Sequence, residues 1–220
     1  MTELIFKEFF NLFSDRCNNF PLLLLSEDAV RYDFFYAITT ICNLRPSQIQ
    51  IEVPIHTSSF IPRANQNAYR KEKPQMDLVV ETERINISVE FAMFKQNSNE
   101  KGTVNSTART VKFMNDMMRL AIDSLHTNRE SYFICVADDT FLGHQLKTKL
   151  IGRFPSHYII SPETIARQME TKTSKFDSRF FAVLKNLNRN IKADLIFEQD
   201  VTGEKINRLT KILIWKVQII

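Results

Sequence analysis

The chain has 220 residues, with 29 Lys and Arg against 25 Asp and Glu, 44% hydrophobic and 25% charged residues, and only 4 Gly, 7 Pro and 3 Cys. That balance excludes disorder, collagen-like repeats and a disulfide scaffold, and the length suffices for one good core or one core with an appended part. The formal net charge of +4 permits an anionic partner without naming one, since surplus cations matter for nucleic acid only where they cluster. The longest oily run, Phe20 to Ser26, is far short of the roughly 20 residues that span a bilayer. The start, MTELIFKEFFNLF, has no basic leader region. The expectations are no membrane partner and a cytoplasmic location. Cys17, Cys42 and Cys135 are odd in number and set in apolar runs, as buried reduced thiols are, and the scattered His residues have no ligand spacing.

Along the chain, Leu4, Ile5, Phe9, Leu12 and Phe13 recur at helical spacing and predict a helix over Glu3 to Phe13. Ser26 followed by Glu27 and Asp28 reads as an N-cap with acids in the first turn, opening a helix to Cys42 that carries Val30, Phe34, Ala37, Ile38 and Ile41. From Gln48 the period becomes two: Ile49, Ile51, Val53 and Ile55 alternate with polar residues, which predicts a strand with one buried face. A polar stretch from Thr57 to Pro74 reads as a basic loop carrying Arg63, Arg70, Lys71 and Lys73. Met76 to Phe94 reads as a hairpin turning near Thr82, Glu83 and Arg84, its second strand alternating Ile85, Ile87, Val89, Phe91 and Met93 with Asn86, Ser88, Glu90, Ala92 and Phe94.

After a polar loop, Asn105, Ser106 and Thr107 are cap candidates for a long helix with Val111, Met114, Met117, Met118, Ala121 and Leu125 on its apolar stripe. A buried strand over Ser131 to Ala137, a helix from Phe141 to Ile151, a short strand at His157 to Ile160 and a helix opened by Pro162 follow. Beyond Thr171 the reading is a helix over Phe176 to Leu187, an ambiguous Ala193 to Glu198, and a β-branched strand from Lys211 to Ile220. The sum is an α/β domain with a mixed sheet, residues 1–170 forming the core and residues 171–220 an extension packed on it.

Three acidic positions belong together: Glu27 or Asp28 on the early helix, Asp77 on the first hairpin strand and Glu90 on the second. Adjacent strands can set Asp77 and Glu90 side by side. Two carboxylates so placed repel unless a cation lies between them, and magnesium held by one or two carboxylates plus substrate phosphate is the usual resolution.

The order of acidic helix, strand, hairpin with Pro74, Gln75, Met76 and Asp77, then Val89, Glu90, Phe91 and Ala92, then a long helix and a strand, resembles the PD-(D/E)xK nuclease superfamily. The resemblance runs from about Ser26 to Ala137. It implies a restriction-endonuclease-like fold, a mixed β-sheet flanked by helices, and hydrolysis of DNA phosphodiester bonds with Mg2+ or Mn2+. Glu27, Asp28, Asp77 and Glu90 would bind the metal, and a homodimer would be possible. The basic loop residues Arg63, Arg70, Lys71 and Lys73 would meet DNA phosphates rather than base edges.

One position departs from the pattern. Active members carry a Lys two residues after the Glu, and this chain has Ala92 there. Lys95 could replace it only if a bulge reset the strand register, whereas Lys112 or Arg119 could supply the cation from the long helix. A catalytically inactive nuclease-fold protein that binds nucleic acid or a protein partner would read the same way, and an unrelated interaction protein with surface acids is the third alternative.

Overall fold

Strand alternation sorts the side chains into two apolar layers, one on each side of a single sheet. The computed structural model describes residues 1–61, 74–95, 106–138, 157–171 and 177–220. The helices are α1 (Thr2–Asn19), α2 (Glu27–Cys42), α3 (Ser106–His126), α4 (Pro162–Thr171) and α5 (Ser178–Leu187). The strands are β1 (Ile49–Pro54), β2 (Gln75–Glu81), β3 (Asn86–Phe94), β4 (Glu130–Asp138), β5 (Tyr158–Ile160), β6 (Ile191–Asp200) and β7 (Thr210–Ile219). They form one seven-stranded sheet in the order β1-β2-β3-β4-β7-β6-β5. Only β3 and β4 run parallel, joined by a crossover through α3, and every other neighbour is antiparallel. The protein is thus α/β, with a mixed sheet between helices.

Helices α1 and α2 cover one face. Their Phe9, Phe13 and Phe34 meet Leu78, Val89, Phe91 and Ile134 of the strands, and Phe34 packs edge-on to Phe91 at 5.5 Å. Helix α3 covers the other face with α5. Its Phe113 is the hub, 5.1 Å from Phe133 and 5.6 Å from Trp215. Met114, Met117 and Met118 are fully buried here and fill the gaps between rings. Leu125, expected on the same stripe, is instead 38% exposed in the last turn of α3.

The segment after Thr171 lies inside the sheet order. Strand β7 pairs with β4 from Ser131 opposite Val217 to Asp138 opposite Thr210, and the ambiguous Ala193 to Glu198 belongs to the long strand β6. The loop between β6 and β7 seals the end of α1. Lys205 N–H donates to the Cys17 carbonyl at 3.1 Å, Glu204 N–H donates to Asn18 Oδ1 at 3.1 Å, and a Cβ on Gly203 would stand 2.8 Å from Cys17.

The single-face reading of β1 fails. Ile49 joins the layer under α1 and α2, Val53 and Ile55 join the layer under α3, and Ile51 is 59% exposed. Between them Glu52 has a left-handed backbone, φ 53°. The expected helix at Phe141 to Ile151 and the basic loop residues Arg63, Arg70, Lys71 and Lys73 lie outside the described residues.

Candidate active site

Helices α2 and α3 bring charged side chains to the place where β2 and β3 part. The β2–β3 ladder pairs Leu78 with Val89, so Asp77 and Glu90 face each other one step beyond its recorded end. Asp77 is held at both oxygens: Oδ2 accepts the Phe91 backbone N–H at 2.9 Å, and Oδ1 accepts from Arg31 of α2 at 2.9 Å. Arg31 also lies 3.8 Å from Glu27 and 3.7 Å from Asp28, the α2 acids one turn before it.

On the other side stands a row from α3. Lys112, Asp116 and Arg119 are spaced so that one helical face presents all three to β3. Lys112 Nζ donates to the Phe91 carbonyl at 2.9 Å and to Asp116 Oδ2 at 2.9 Å, and lies 3.5 Å from Glu27. Arg119 donates to Asp116 Oδ1 and, at 3.2 Å, to Glu90 Oε2. Four carboxylates (Glu27, Asp77, Glu90, Asp116) therefore interlock with three cations (Arg31, Lys112, Arg119).

Burial makes this charge costly. The Glu90 side chain is 1% exposed, and its Oε1 is buried without a hydrogen-bond partner. Desolvation pushes the Glu90 pKa well above the usual carboxylate value, assisted by Asp116 and Asp77 and opposed by Arg119 and Lys112. Desolvation likewise raises Glu27, against the pull of Lys112. The Lys112 and Arg119 pKa values move up, because the surrounding carboxylates outweigh the burial that opposes the charge. Perturbed acids gathered with cations occur both at active sites and in structural ion-pair networks.

The sequence-derived candidates separate clearly. Glu27, Asp77, Glu90 and Lys112 converge. Asp28 stays on the rim, 84% exposed. Lys95 is on the other side of the sheet, where its ammonium donates to the Leu22, Leu23 and Leu25 carbonyls in the loop before α2. Strict alternation after Glu90 sends it there, with no bulge in the β3–β4 pairing to reset it. Arg31 and Asp116 were not singled out from the sequence. Their signal was the four-residue spacing of Glu27 to Arg31 and of Lys112 to Asp116.

The side chains that carry carboxylate oxygens here are Asp77, Glu90, Glu27 and Asp116, and among the described residues no group of three or more His, Cys, Asp or Glu side chains is arranged to hold a metal ion. None of the helices among the described residues is long and apolar enough to cross a membrane. No family model matches the chain, and neither a curated protein nor a solved structure matches it.

Proposed function

We propose that the chain is a metal-dependent nuclease of the restriction-endonuclease-like fold that hydrolyses DNA phosphodiester bonds. The order α2, β1, β2, β3, α3, β4, with an antiparallel β1-β2-β3 ribbon and a parallel β4, supports the fold assignment. The observation that carries the activity is Lys112. Its ammonium reaches the Phe91 carbonyl, between Glu90 and Ala92 on β3, so α3 supplies the cation that the Ala92 position lacks.

What supports a magnesium or manganese ion is that Glu90 has an oxygen without a partner and that a hard ion needs only one or two carboxylates, its other positions left to water and substrate phosphate. An ion on Asp77 would take the place of Arg31 at Oδ1. Asp77 and Glu90 would hold it, with Glu27 completing the acidic shell. When bound, such an ion polarises the phosphate and lowers the pKa of a water. Lys112 would orient the attacking water and offset charge on the phosphate, and Asp116 would hold the ammonium in place. The basic loop residues Arg63, Arg70, Lys71 and Lys73 would grip the backbone of the duplex.

Incubation of the purified protein with supercoiled plasmid and Mg2+ or Mn2+ is expected to give nicked and linear products, lost in the Asp77→Asn and Glu90→Gln variants. Cleavage that survives the double substitution would overturn the assignment. A second reading, a catalytically inactive nuclease-fold protein that binds nucleic acid, is favoured by the ion pairs themselves. Arg31, Lys112 and Arg119 each span at least two carboxylates and leave Asp77 no free oxygen. Plasmid retarded on a gel but uncut, with no heat of Mg2+ binding that depends on Asp77, would select it.

A further inference from the structure

Among the described residues, three that are not glycine have a left-handed backbone: Asn43, Glu52 and Asn188. The two asparagines are the C-caps of α2 and α5, where that conformation is usual. Glu52 has no such reason. It sits in the middle of a strand, its side chain is exposed, and glutamate lacks the short amide that eases the left-handed region.

What surrounds Glu52 gives it a reason. The β1–β2 ladder pairs Ile51 with Leu78 and Val53 with Met76, and the Glu52 step opposite Asp77 is missing from it. Across that step both strands change face. Ile49, Leu78 and Val80 pack under α1 and α2, while Val53, Ile55 and Met76 pack under α3. Had alternation continued, Asp77 would sit squarely with Val79 on the α3 side. Instead it lies where the ribbon turns over, and its carboxylate reaches Arg31 on α2 and the Phe91 N–H on β3 at once.

We infer that Glu52 is a positioning residue: its left-handed backbone turns the β1–β2 ribbon over and so aims the Asp77 carboxylate into the centre between α2 and β3. The inference deepens the proposed function and rests on Asp77 serving that centre. Interruptions of a ladder beside a functional site re-aim side chains in this way, and a strained residue persists only where its surroundings impose it.

The test compares Glu52→Gly, which adopts the left-handed region freely, with Glu52→Val, whose branched side chain favours the extended one. Two readouts are followed in the full chain: hydrogen exchange at the Phe91 amide, which its hydrogen bond to Asp77 protects, and plasmid cleavage with Mn2+. Glu52→Gly is expected to keep the Phe91 protection, to cleave within about twofold of the parent, and to unfold at higher temperature because strain is relieved. Glu52→Val is expected to lose the protection and to cleave at least about tenfold more slowly, the scale of a misplaced catalytic group. A Val variant that keeps both would overturn the inference. So would a Gly variant that loses the protection, which decides the matter if the Val variant does not fold. Failure of the nuclease reading would look different: the parent would not cleave, or Asp77→Asn would, while the Phe91 protection still reports on Glu52.

Discussion

Helix α3 carries two buried aspartates, Asp116 and Asp123, in opposite situations. Asp123 is completely buried, and one guanidinium, that of Arg129, donates to both of its oxygens at 3.0 and 2.9 Å. Arg129 also reaches Glu81 at 3.1 Å, and its Nε is buried without a partner. Both Asp123 oxygens thus rest on a single guanidinium. Asp116, 1% exposed, has both oxygens engaged as well, but its partners Lys112 and Arg119 are shared onward with Glu27 and Glu90. Among the described residues that end of the helix has more acids than cations, an orphaned Glu90 oxygen and two acids with raised pKa values. A buried ion pair on its own is a structural device, and often a neutral one. At the Asp116 end the cations are shared among several buried acids and one of these keeps an unpartnered oxygen, which is why the chemistry is proposed for that end.

The largest expected difference is in stability. Asp123→Ala leaves Arg129 buried without its main partner, and should cost about 3–5 kcal/mol in urea denaturation. Glu90→Gln removes a buried charge but keeps an acceptor for Arg119, so it should be neutral or stabilising by about 1 kcal/mol at pH 7. Cleavage should fall by at least about 100-fold in Glu90→Gln and follow only the folded fraction in Asp123→Ala. If Glu90→Gln proved as damaging to the fold as Asp123→Ala, the two ends of α3 would be equivalent and the comparison would break.

A smaller effect lies in the pH dependence. Glu90 titrates higher in the folded chain than in the unfolded one, so between those two values the folded state binds the extra proton. Stability is fully present below the unfolded value and declines as pH rises through the folded one, by at most about 1.4 kcal/mol per pH unit for one group. Glu130, held below its usual value by hydrogen bonds from Lys216 and Tyr132, works in the reverse sense and loses its contribution as pH falls. Subtracting the Glu90→Gln curve from the parent isolates the first effect. A flat difference between pH 4.5 and 8 would show that the Glu90 charge carries no burial cost.

Much of the centre was legible because it rests on local rules. The run of Ser26, Glu27 and Asp28 marks the start of α2, parity within one hairpin sets Asp77 against Glu90, and Lys112 and Arg119 were readable as cations on the helix that follows. The sequence also predicted that Lys95 would fall on the opposite face. What stayed hidden depends on the third dimension. Period-two reasoning takes a strand as flat and cannot see the turn-over at Glu52, whose neighbours Ile51 and Val53 keep an unbroken alternating pattern. The burial of Glu90 was not legible, because the polar face of β3 becomes a buried one only when α3 is laid across it. Strand β6 was ambiguous because Ile196 interrupts the alternation of Ala193, Leu195 and Phe197 with the acids, at the point where the pairing with β7 shifts register. Glu198 and Asp200 are matched by Lys211 of β7, a pairing that needs the strand neighbours to be known.

The smallest effect sharpens the choice between the two acids that open α2. Adjacent helical residues point about 100° apart, so one of Glu27 and Asp28 must turn away from α3. Glu27 lies 3.5 Å from Lys112 and is 32% exposed, while Asp28 is 84% exposed and approaches only Arg31. Glu27→Gln therefore removes a partner of the ammonium proposed to replace the motif lysine, and should slow cleavage by about tenfold or more. Asp28→Asn should change stability by less than about 0.5 kcal/mol, as substitutions at exposed sites do, and should leave cleavage unaltered within experimental scatter. Equal losses in the two variants, measured as initial rates on plasmid, would mean that the centre draws on the whole first turn of α2 rather than on the face it shares with Lys112.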